Sequence, residues 1–170
     1  GFADVVALLS VYTQPELVQE LLERNAGKQR VAGFIDDDDV SIEQLRKSAL
    51  FGLAEQMGDE VQQVRGEALR RSVLLEETPD LRNAPEFDEP HRRGEILVAA
   101  IMNAFLRVWT RRVQQSKAPG QTLHSVKRVA EEGADVAAVL STMWIRALDY
   151  MPPVHLTFGD ALSAAITADF

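Results

Sequence analysis

The stretch Glu89–Phe105, EPHRRGEILVAAIMNAF, decides the fold. Ile96, Leu97, Ala100, Ile101, Ala104 and Phe105 recur at helical spacing, and Val108 continues the row. That period predicts a helix from Gly94 to Gln115 with one buried apolar stripe. Pro119-Gly120 stops it. A histidine, one of three in the chain, stands just ahead of the run, behind a proline and the acid pair Asp88-Glu89. A loop-to-helix entry of this kind holds a side chain firmly.

Working outward, the same period recurs. Phe2, Val5, Val6, Leu8 and Leu9 predict a first helix. Thr13 and Pro15 mark a restart, with Thr13 as cap, and Leu17, Val18, Leu21 and Leu22 follow to about Asn25. Ser41 and Gln44 have capping-box spacing and open a helix through Leu45, Ala49, Leu50, Leu53 and Met57. Thr122 is placed to cap a long helix through Val126, Val129, Ala137, Leu140, Trp144 and Leu148, with a break expected at Gly133. A last helix is expected from Thr157 to Asp169. Val154–Thr157 is the one stretch that reads as a short strand. The class is therefore all-α, one domain over residues 1–170, with about six helices.

Composition narrows the function. The chain has 170 residues, 46% of them hydrophobic and 26% charged, which is globular. Its net charge of −8 argues against nucleic acid as a partner, and against an anionic membrane surface. No apolar run reaches the ~18–20 residues of a membrane span. With no cysteine there is no disulfide, thiolate nucleophile or cysteine-bound zinc. The same absence leans towards a cytoplasmic protein. Gly1-Phe2-Ala3-Asp4 runs into a helical pattern without a capping residue, so the sequence reads as part of a longer protein.

Several motifs of known chemistry are missing: His-Glu-x-x-His, phosphate-binding glycine loops, Gly-x-Ser-x-Gly and the dinucleotide fingerprint. Asp36–Asp39 lacks the alternating ligands of a calcium loop and reads as a solvated acidic loop. His124 and His155 read as surface or packing residues. Asp4 interrupts an apolar stretch, and its spacing puts it on the outer face of the first helix.

Three short motifs, in order, resemble the C-terminal helical domain of thermolysin-like zinc metallopeptidases, the gluzincins, in a bacterial branch. Gly1-Phe2-Ala3-Asp4-Val5-Val6 is similar to the segment after their third zinc ligand. Ala68-Leu69-Arg70-Arg71-Ser72 resembles the segment whose arginine binds the substrate carbonyl. Pro90-His91-Arg92-Arg93-Gly94 resembles their histidine-bearing helix start, and the Arg70–His91 interval is shorter than thermolysin's. Ile145–Pro153 and Leu156–Asp160 look like the same branch.

The resemblance implies a peptide or protein substrate and Zn2+ in the full-length protein. The His-Glu-x-x-His half would lie upstream, with a glutamate ligand directly before Gly1. Asp4 would orient a zinc-binding histidine. Arg70 and His91 would stabilise the tetrahedral intermediate, and Asp88 or Glu89 would pair with His91. The 170-residue chain alone is expected to bind no zinc and to be inactive. The alternative is a helical interaction module without catalysis, or a degenerate peptidase domain.

Overall fold

The computed structural model describes residues 1–25, 31–47, 71–75 and 83–168. Helix α1, Phe2–Tyr12, buries Val5, Leu8, Leu9 and Tyr12, one face at helical spacing. Helix α2, Pro15–Asn25, follows after Thr13 and Gln14. Contrary to the sequence expectation, Thr13 does not cap it. Its hydroxyl donates backwards to the Ser10 carbonyl (2.6 Å), and Thr13 closes α1.

Strand β1, Phe34–Asp36, pairs antiparallel with β2, Leu123–Ser125, in the register Ile35 opposite His124. Both of these residues are buried. The expected strand at Val154–Thr157 does not form. His155 has φ 55°, a left-handed turn that breaks an extended run. After β1 a 3-10 turn, Asp37–Val40, leads to the short helix α3, Ile42–Leu45. Ser41 caps α3, its hydroxyl oxygen accepting from the Gln44 amide at 3.3 Å. From residue 48 the continuation of this helix to Met57 lies outside the described residues.

Helix α4, Pro90–Gln115, starts four residues before the sequence expectation. Pro90 occupies its first turn, where the missing N–H costs nothing, and Glu89 caps it. Its buried face is Val98, Ala99, Met102, Phe105, Leu106, Trp109 and Val113. This corrects the predicted stripe, which shares only Phe105 with it; Val108 is 44% exposed. The helix is apolar around much of its girth, so period alone does not choose a face. An aromatic cluster chooses it: Tyr12 packs on Phe105 (5.1 Å between centroids) and Trp109 (6.2 Å).

Helix α5, Val126–Ala147, is the central element, packed against α1, α2, α4 and α6. It begins after Ser125, not at Thr122, and runs through Gly133 without the expected break. A Cβ at Gly133 would lie 2.5 Å from Trp109 Cε2, so this glycine lets α4 and α5 approach closely. A 3-10 turn, Leu148–Tyr150, and an irregular loop lead to helix α6, Phe158–Ala168. As predicted, α6 opens at Thr157. The Thr157 amide donates to Asp160 (2.9 Å), and the Asp160 amide donates to the Thr157 hydroxyl (3.2 Å). Ala161, Ala164, Ala165 and Ala168 form its buried face, small enough for close packing. The fold is all-α, with one two-stranded antiparallel sheet among the described residues. Among the described residues no helix is long and apolar enough to cross a membrane.

Candidate functional site at the start of α1 and α4

Helices α1 and α4 run parallel and begin side by side. Gly1 and Gly94 meet backbone to backbone; a Cβ on Gly1 would stand 2.9 Å from the Gly94 oxygen. Tyr12 then meets Phe105 the same number of residues further along. Asp4 lies about one turn after this glycine contact on α1 and His91 about one turn before it on α4, so both are in the N-terminal part of the pair but roughly two turns apart along it.

Asp4 is 51% exposed, and its carboxylate lies 3.0 Å from the Gly1 nitrogen. It stands on the outer face of α1, as its spacing predicted. Among the described residues no group of three His, Asp or Glu side chains could hold a metal ion.

His91 is exposed in the first turn of α4. The two acids ahead of it divide. Glu89 accepts from the backbone amides of His91 (3.1 Å) and Arg92 (2.7 Å), and these bonds lower its pKa, the His91 amide contributing most. Its carboxylate thus satisfies the helix start, and the bonds it makes go to backbone. Asp88 has no ion pair among the described residues and stands at the edge of a groove. Arg70 lies outside the described residues.

The sequence reading missed Glu95. It is 6% exposed, on the buried face of α4. Arg71 donates to it at 2.9 Å, and Arg92 Nε lies 3.7 Å from its second oxygen. Arg92 also sits over the ring of buried Phe87, 5.3 Å from its centroid. Glu95 therefore ties the segment just after Arg70 to the start of the His91 helix. An acid on the core face, three residues after an arginine, was the available signal.

The groove has a volume of about 610 Å³. Phe2, Leu97, Leu156, Phe158 and Ala161 line it, and Arg93 and Asp88 are its charged side chains. It adjoins the Gly1–Gly94 contact, so the starts of α1, α4 and α6 meet around it.

A second polar cluster lies elsewhere. Asp37 accepts from Lys117 and from Gln114 (3.4 Å), and its Oδ1 is 2.6 Å from Nε2 of buried His124. The Lys117 bond, then that of His124, lowers the Asp37 pKa to about 2. His124, read as a surface or packing residue, is a buried strand residue bound to the acidic run. Asn103, also buried, accepts from Arg46.

No family model, no curated protein and no solved structure matches this chain.

Proposed function

We propose that the chain is the C-terminal half of a zinc metallopeptidase and contributes substrate-binding and oxyanion-stabilising residues to peptide-bond hydrolysis. The observation that carries this reading is the parallel start of α1 and α4. The Gly1–Gly94 contact lies between the His91 turn and the Asp4 turn and adjoins an open groove, an arrangement that supports the reading. Bound zinc would supply Lewis acidity and an activated water. In this reading Asp4 holds the N–H of a zinc-ligating imidazole. His91 donates to the oxygen that gains charge as the carbonyl becomes tetrahedral, and Arg70 donates to the substrate carbonyl. A donor on a capped helix end, backed by a packed helix, needs little reorganisation when charge develops.

The test is peptide hydrolysis by the full-length protein. Hydrolysis with stoichiometric zinc, lost on chelation and restored by Zn2+, is expected. A full-length protein without His-Glu-x-x-His upstream, or with chelator-resistant activity, rejects the reading.

One observation favours a second reading, a helical interaction module without catalysis. The outer face of α6 presents Phe158, Leu162 and Ile166 at 37%, 59% and 55% exposure, an apolar row suited to a partner. The same hydrolysis assay separates the two.

A further inference from the structure

We propose that the groove binds an extended peptide through a large apolar side chain, and that Arg93 takes a carboxylate adjacent to it. That the occupant is a peptide rests on the peptidase reading; the choice of side chains rests on the groove itself.

The volume of about 610 Å³ falls within the ~300–1,000 Å³ of common ligand sites. Its floor is apolar, from Phe2, Leu97 and Ala161. Leu156, 53% exposed, and Phe158, 37% exposed, complete it. The left-handed turn at His155 comes directly before Leu156. Such a surface gains most by taking apolar area out of water.

Charge then selects the neighbour. Arg71 and Arg92 are both held by Glu95. Arg93, the next residue, is exposed on the groove and has no ion pair among the described residues. A guanidinium offers parallel N–H donors that match a carboxylate, and a low-dielectric floor beside it strengthens that bond. Asp88 disfavours a second acid at its own edge and can accept a peptide N–H. Asn83, also on the groove, supplies an amide that can both donate and accept. Donor and acceptor groups along an apolar floor suit a peptide main chain.

Equilibrium binding to the 170-residue chain tests this. The probes are fluorescein-labelled Ala-Ala-Phe-Glu-Ala-Ala, blocked at both ends, and its Gln and Lys counterparts. The Glu peptide should bind about tenfold more tightly than the Gln peptide, as expected for one charge-assisted pair. The Lys peptide should bind most weakly. Arg93→Gln should erase the Glu–Gln difference and Arg93→Lys should keep part of it. Phe158→Ala should weaken all three peptides, and Arg111→Gln, elsewhere on α4, should change none. Circular dichroism checks that each variant is folded.

Equal binding of the Glu and Gln peptides, a difference that survives Arg93→Gln, or no binding at about 1 mM, where association is worth only ~4 kcal/mol, overturns the proposal. Binding with the expected pattern, but no hydrolysis by the full-length protein, rejects the peptidase reading and upholds the groove. Zinc-dependent hydrolysis without the charge preference does the reverse.

Discussion

The indole N–H of Trp109 donates to the main-chain oxygen of Val129 at 2.8 Å, a bond between α4 and α5 buried in the core. One turn further along α5, Gly133 lies under the same ring. The hydrogen bond and the glycine solve one problem. The indole needs a partner for its polar atom, and it reaches one only if the facing helix has no side chain in the way.

Gly133→Ala should therefore destabilise the fold, although alanine is the better helix former by about 1 kcal/mol. The added Cβ would meet the ring, not a flexible chain end, and overpacking of this kind costs roughly 1–3 kcal/mol. Urea denaturation should show the loss. In a Trp109→Phe background the cost should shrink, because a smaller ring leaves room. A Gly133→Ala protein as stable as the wild type, or more so, contradicts the close approach.

The Asp37 cluster gives stability an acid limit. Its folded pKa, lowered to about 2, is below the ordinary aspartate value of 3.8. The folded state thus favours the charged carboxylate, and the stabilisation is fully present above the unfolded value. It is lost as pH falls from about 3.8 towards 2. Melting temperature should fall across this window, and Asp37→Asn should flatten that part of the profile. Lys117→Met should flatten it in part, because His124 and Gln114 still hold the carboxylate. An unchanged slope in Asp37→Asn excludes Asp37 as the titrating group.

Glu95 sets the cost of separating the Arg71 segment from α4. Removing one partner of a fully buried pair costs ~3–5 kcal/mol, and exposed pairs contribute much less. Arg71 is 48% exposed and Arg92 stays beside Glu95, so Arg71→Ala should cost about 1–2 kcal/mol. A double-mutant cycle with Glu95→Gln measures the coupling. Additive effects of the two changes mean that the contact contributes nothing.

What the sequence made legible was local. Val5, Leu8 and Leu9 announce α1 by spacing, Thr157 announces α6, and Pro90 marks the entry on which His91 sits. What it hid depended on distant partners. His124 is buried because it pairs with Ile35 across the sheet and binds Asp37, 87 residues earlier. Gly133 looks like a helix break until Trp109 is placed against it. The face of α4 is set by Tyr12, from another helix. The same holds at the site, where the bond from Arg71, 24 residues upstream, to Glu95 forms only in the folded chain.

The oxyanion assignment of His91 is decided in the full-length protein. His91→Ala should lower kcat by a factor of roughly 10²–10³ and change KM little, since the donor acts mainly in the transition state. Fold stability should hardly change. The side chain is exposed, and the cap at this helix end uses the His91 backbone amide, which alanine keeps. Glu89→Ala offers the contrast. It removes the acceptor for two amides and should lower the melting temperature, as loss of an N-terminal cap does. An imidazole that only decorates the helix start predicts wild-type turnover in His91→Ala. Steady-state kinetics on a peptide substrate, with zinc content and melting temperature measured on the same preparations, separate these outcomes. Unchanged kcat in a folded, zinc-loaded His91→Ala enzyme ends the assignment.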